Sequence, residues 1–72
     1  MKFKPGDIVE TDRIYRVVKT ALHRINLNNK IQLEIIKATK TVTFSSSYVV
    51  KNLKTGKIES TQYWEDELTL VR

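Results

Sequence analysis

His23, the serines at positions 45, 46, 47 and 60, and the run Glu65-Asp66-Glu67 are the side chains of this chain whose types could support catalysis or metal binding. A zinc site draws on several imidazole or thiolate ligands. Here His23 is the single histidine and cysteine is absent, which excludes a thiolate site, a cysteine nucleophile and any disulfide framework. His23 reads as a solvated loop residue. A nucleophilic serine needs a base held beside it, and the spacing around these four offers neither a triad nor a glycine elbow. Three consecutive acids on a surface turn point in different directions, so they are expected to meet solvent or a helix dipole rather than share a metal. The expectation is therefore a protein that is not an enzyme, with no catalytic residues, no metal, no cofactor and no small-molecule substrate.

Charge carries more information than any motif. The formal net charge is +5, yet residues 13–58 hold ten bases against Glu34 alone, while residues 1–12 and 59–72 each carry more acids than bases. Such a distribution has two plain explanations: the acidic ends pair with the middle across neighbouring strands, or the lysines keep a small protein soluble. The functional explanation is an attractive field for phosphates or for an acidic protein surface. The candidate nucleic-acid contacts are Arg13, Arg16, Lys19, Arg24, Lys51, Lys54 and Lys57, which fall on a second strand, its following loop and a hairpin over 47–64. Among the aromatics, Tyr48 and one of the adjacent pair Tyr63 and Trp64 are expected in the core, since neighbours on a strand face opposite sides. The outward member, together with Tyr15, would form a stacking platform for bases or an anchor for a protein partner. Nucleic-acid binding through the basic surface is the leading reading. Docking on an acidic surface of another protein, with Tyr15, Tyr63 or Trp64 as anchor, is the alternative, and self-association through exposed edge strands is a third.

These side chains must be positioned by one small domain, residues 1–72, near the lower size at which a core without staples holds together. Pro5-Gly6-Asp7 is a turn signal, followed by a short strand "DIVE". In "RIYRVVKTALHRI", residues 13–25, the apolar positions 14, 17, 18, 21, 22 and 25 share one face of a helix, and Thr11 or Asp12 could cap it. The β-branched and aromatic residues of "IYRVV" argue instead for a strand over 14–19, with Thr11-Asp12 near a turn and "TALHRINLNN" as a loop. "IQLEII" alternates like a half-buried strand until Ile36, which suggests a bulge or burial on both faces. "SYVVKNL" runs into "KTGK", where Gly56 suits a hairpin turn, and "KIESTQYW" returns. "WEDEL" is long enough for one helical or 3₁₀ turn, and "LTLV" closes the chain as a strand. The segment "ATKTVTFSS", 38–46, either extends its neighbouring strands or forms a loop.

The sequence "F-x-P-G-D-x-V", then "Y-x-V-V", "L-E-I-I", "Y-V-V-x-N-x-x-T-G-K" and a closing "W-E-D-E-L-T-L-V" resembles the small Src-homology-3-like (SH3-like) barrels of bacteria and phages. The resemblance runs from Phe3 to Val71. It implies an all-β barrel of five to six short strands with a single 3₁₀ turn before the last. An α+β arrangement, with a helix at 13–25 packed on an antiparallel sheet, is the alternative fold. Barrels of this kind serve as nucleic-acid binders, polymerase or ribosome accessories and protein adaptors. The Trp-Trp pair and acidic loop of the proline-binding members are missing, so proline-peptide recognition is not expected. The chain looks like a phage or mobile-element accessory protein. No signal peptide and no membrane-spanning run is read, which together with the absence of cysteine suits the cytoplasm.

Overall fold

The computed structural model describes residues 2–40 and 46–71, with Lys40 described by its backbone alone. The strands are β1 (Ile8–Val18), β2 (Ala21–Lys40), β3 (Ser46–Asn52), β4 (Lys57–Ile58), β5 (Tyr63–Trp64) and β6 (Thr69–Leu70), with a 3₁₀ turn at Glu65–Glu67 before the last. The fold is all-β, an antiparallel sheet in the order β4-β3-β2-β1-β6, with β5 pairing along β3. The fraction of the chain expected to extend or loop over 38–46 enters β2 and β3 at its ends; residues 41–45, Phe44 included, lie outside the described residues.

The sheet corrects several expectations for the first half. No helix forms over 13–25, so the α+β alternative falls, and "DIVE" and "RIYRVV" are one strand of 11 residues rather than two joined by a turn at Thr11-Asp12. Likewise "TALHRINLNN" is not a loop, because from Ala21 onward it belongs to the 20-residue strand β2. The first two strands are thus long, not short. The chain reverses at Lys19-Thr20, pairing Val18 with Ala21, Val17 with Leu22 and Ile14 with Ile25. A helical stripe at 14, 17, 18, 21, 22 and 25 is symmetric about its centre. Folded as a hairpin about that centre, it sets each apolar residue opposite another, so the two patterns coincide and β propensity decides between them. The reversal lacks glycine, and Lys19 itself takes a positive φ of 60°.

Between Thr11 and Arg13 the register with β2 slips: Thr11 faces Ile31 while Arg13 faces Asn26. Asp12 therefore stands against the four residues 27–30, and the Arg13 N–H is satisfied by Thr11 Oγ1 at 3.2 Å. A second irregularity falls at Ile36, where β2 pairs with β3 through Ile35 and then Lys37. Bulges of this kind bend a strand and increase its twist. They let β2 serve both the barrel wall and the hairpin that leaves it.

The core gathers Phe3, Val9, Leu33, Ile35, Tyr48, Val50, Tyr63 and Leu68, with Tyr15, Ile31 and Ala38 packed at its margin. Edge-on ring contacts join Phe3 to Tyr48 at 5.3 Å and Tyr15 to Tyr63 at 5.2 Å. Pro5-Gly6-Asp7 makes the expected turn, with Gly6 at φ 94° and the Asp7 carboxylate accepting the Lys4 N–H at 3.1 Å. The returning strand after Gly56 is not continuous, since "KIESTQYW" is paired only at Lys57–Ile58 and Tyr63–Trp64. No helix of the described residues is long and apolar enough to cross a membrane.

Candidate nucleic-acid interface

Residues 16–26, the outer part of the β1–β2 hairpin, are exposed without exception. This arm carries Val17, Leu22 and Val18 at 62%, 54% and 53% exposure, with Ile25 at 41%. Its polar members include Arg16, Lys19, His23 and Arg24, and no acid occurs between Asp12 and Glu34. Because residues directly opposite in a hairpin share a face, one side of the arm shows Val17, Leu22 and Arg24, and the other shows Arg16, Val18, Ala21 and His23. His23 is exposed as expected, but on a strand.

The seven basic candidates do not form one patch. Arg13 lies between Asp12 and Glu67, at 3.7 Å and 3.8 Å, and Arg16 reaches Glu59 at 3.6 Å. Arg13 is thus paired toward the closing turn and Arg16 toward the 59–63 segment, both side chains staying about half exposed; the Tyr63 hydroxyl also donates to the Arg13 carbonyl at 3.4 Å. Lys51 stands beside Glu34 in the register and is half-buried. Lys19, Arg24, Lys54 and Lys57 have no carboxylate within 4.0 Å among the described residues. Lys19 stands at the tip of the arm and Arg24 on β2 below it, Lys54 lies in the turn after β3 at the root of the arm, and Lys57 is on β4, beyond β3. At the root, Lys30, Lys54, Asn29, Ile31, Gln32 and Leu53 line a shallow groove. Leu53 N–H bonds the Gln32 carbonyl at 3.3 Å, which fixes the Lys54 turn against β2. Asn52 completes that turn, its side-chain oxygen accepting the Lys54 N–H at 2.9 Å. Lys30, also paired with Glu10 at 3.6 Å, was not among the sequence candidates; the signal that points to it is the acid-free stretch from Arg13 to Leu33.

The aromatic candidates separate. Tyr63 is fully buried and Tyr15 is partly buried against it, so neither is available as a platform or anchor. Trp64 is the outward member of its pair, 42% exposed, and sits opposite Ser47 on β3. The inward tyrosines have a different task. The Tyr15 hydroxyl donates to the Glu67 carboxylate, and the Tyr48 hydroxyl donates to Glu65 Oε2 at 2.6 Å while accepting the Phe3 N–H at 3.2 Å. Glu67 also accepts the Trp64 N–H at 2.9 Å, and Glu65 the Lys2 N–H at 3.1 Å. For the acids of the 3₁₀ turn the sequence points to solvent or a helix dipole. Two of them instead bolt the turn to the barrel, because hydroxyls arriving from β1 and β3 supply donors that the local sequence does not reveal. Burial, reinforced by Glu67, raises the Tyr15 hydroxyl to about 12, and burial with the Glu59 charge does the same to Tyr63. The Tyr48 hydrogen bond, with the Lys2 N–H, holds the Glu65 carboxyl below its ordinary value.

No known protein family matches the chain, and neither does any curated protein or solved structure. The site is accordingly defined by its own geometry: a small barrel from which a basic, acid-free arm projects.

Proposed function

We propose that this protein is a non-enzymatic nucleic-acid-binding module, holding phosphates with Lys19 and Arg24 on the arm, with Lys30 and Lys54 at its root and with Lys57 on β4. The single observation that carries this reading is the exposed arm over 16–26, within a stretch of chain that holds five bases and no acid from Arg13 to Leu33. Phosphate contacts by such bases release condensed counterions, so binding is strong at low salt and reads little sequence. Arg13 and Arg16 support the arm through their ion pairs, and Lys51 adds only to the general field. The test is the triple charge reversal Lys19→Glu, Arg24→Glu and Lys54→Glu. All three side chains are exposed, so the fold should survive, as circular dichroism can verify. Affinity for labelled oligonucleotides should fall by more than tenfold; unchanged affinity removes the arm from the interface.

The free apolar side chains favour a second reading, in which the arm docks on an acidic surface of another protein. It predicts a stoichiometric complex recovered from lysate after nuclease treatment, and loss of every partner on that treatment counts against it. Self-association of two copies through the arm would set like charges opposite one another, which opposes pairing.

A further inference from the structure

We infer that the outer edge of β2, over residues 22–30, takes up an extended acidic segment of another protein as an added β-strand. This goes beyond the phosphate reading and does not rest on it, because the ligand is held by the backbone of the arm as well as by its cations.

The topology leaves this edge open. β1 pairs with β2 from the turn downward, but β3 joins the other side of β2 only from Leu33 onward. β3 ends there because Asn52 closes a turn, its carbonyl accepting the Gly56 N–H at 2.7 Å and its side chain the Lys54 N–H at 2.9 Å. The final link is Leu53 N–H to the Gln32 carbonyl at 3.3 Å. Above that point β2 has no second neighbouring strand among the described residues. Val18 and Ala21 flank a two-residue turn and exchange their hydrogen bonds, so the alternate pairs Val17–Leu22, Tyr15–Arg24 and Arg13–Asn26 direct N–H and C=O groups outward. On the β1 side these groups are partly covered: the Tyr15 carbonyl accepts from the Arg16 guanidinium at 3.0 Å and the Arg13 carbonyl from the Tyr63 hydroxyl. On the β2 side Leu22, Arg24 and Asn26 present theirs from an exposed strand. An unpaired ladder of this kind is a template for another extended chain.

The side chains along the edge select the occupant. Leu22, Arg24 and Asn26 share one face of β2, and Ala21, His23 and Ile25 share the other. Arg24 has no carboxylate within 4.0 Å among the described residues, nor has Lys54 at the foot of the edge, whereas Lys30 is paired with Glu10 at 3.6 Å. No acid precedes Glu34 on β2. At the foot, Ile31 and Leu53 give the groove apolar walls beside Lys54. A strand with carboxylates on the Arg24 face and apolar side chains on the Ile25 face therefore complements the edge, since opposite charges and apolar pairs stabilise facing strands. Pairing the β2 edges of two copies would instead bring Arg24 and Lys30 beside their own kind. A sugar-phosphate chain has no alternating N–H and C=O groups with which to complete the ladder.

The experiment titrates the intact protein into a labelled, end-blocked peptide of alternating valine and glutamate, read by fluorescence anisotropy, and follows amide hydrogen exchange of the complex by NMR. Saturable binding is expected, with slowed exchange gained at the Leu22, Arg24 and Asn26 amides and no gain at Ala21, His23 and Ile25, which already pair with β1. Two versions of the peptide, N-methylated on alternate residues, turn their blocked amides toward or away from the edge; one should bind at least tenfold more weakly than the other. Replacing glutamate by lysine in the peptide should also cost at least tenfold. Equal affinity of the two methylated versions, or no gain of protection at the three amides, overturns strand addition. Equally tight binding of the lysine peptide overturns the acidic partner, and a dimer of the free protein in light scattering overturns the choice of occupant in favour of a second copy. Oligonucleotide binding without peptide binding overturns this inference and leaves the phosphate surface standing. Peptide binding without oligonucleotide binding supports it and refutes the phosphate reading alone.

Discussion

Replacing Tyr48 by Phe keeps the buried ring and its edge-on contact with Phe3 but deletes one hydroxyl, which joins three parts of the chain. That oxygen donates to Glu65 on the 3₁₀ turn at 2.6 Å and accepts the N–H of Phe3 at 3.2 Å. A hydrogen bond to a charged group contributes about 1.5–3 kcal/mol, and a buried donor left without a partner costs about 1–3 kcal/mol. Glu65 is only partly buried and water can replace one bond, so the net loss at pH 7 should be about 2–4 kcal/mol. For a domain of this size that lowers Tm by at least about 10 °C. The loss should also depend on pH. Because the Tyr48 bond depresses the Glu65 pKa, its contribution is fully present above the unfolded value of about 4.3 and disappears as pH falls through the lower folded value. Urea titrations of wild type and Tyr48→Phe at pH 7 and pH 3 measure both quantities. The stability gap should be large at pH 7 and smaller at pH 3. A gap under about 0.5 kcal/mol at pH 7, or one equal at both values, would refute the claim that Tyr48 and Glu65 lock the closing turn.

Alkali should attack the other end of the same network. Tyr15 and Tyr63, each raised to about 12, favour the folded state fully below the unfolded tyrosine value of about 10, and that stability is lost between about pH 10 and 12. Denaturation followed across this window should show stability falling steeply, and a flat profile excludes the buried hydroxyls as its cause. Leu33→Ala should cost about 2–5 kcal/mol, as for a fully buried side chain, while Leu22→Ala on the arm should stay within about 0.5 kcal/mol. Comparable losses in denaturant titrations would mean that the arm is packed rather than projecting. Gly56 has φ 74° and open space where a Cβ would stand, so Gly56→Ala should cost only the backbone strain of about 1–2 kcal/mol; a neutral result would show that the turn relaxes.

Much of the sheet was legible. Alternation in "IQLEII", the positive φ demanded at Gly6 and Gly56, the bulge at Ile36 and the 3₁₀ turn at 65–67 all follow from local patterns, as does the opposed facing of Tyr63 and Trp64. The β1–β2 arm was hidden for two physical reasons. Its apolar spacing satisfies a helix and a centred hairpin equally, and its turn uses Lys19 rather than glycine or asparagine. The basic site was half legible: charge marked the middle of the chain, but only tertiary placement shows that Arg13 and Arg16 pair with Glu67 and Glu59 while Lys19 and Arg24 lie on the arm and Lys54 in the groove at its root. The acids of the closing turn misled because their partners, Tyr15 and Tyr48, come from sequence-distant strands.

If the basic arm and its root bind phosphates, the affinity of the wild-type protein for a labelled DNA duplex must respond to salt, and a titration over a series of salt concentrations reads that response directly. Submicromolar binding at physiological salt is expected, weakening along a straight line of log K against log salt. With four to five phosphates engaged the slope should be about −4. A slope near zero, or no binding even at low salt, would show that these bases do not hold phosphates.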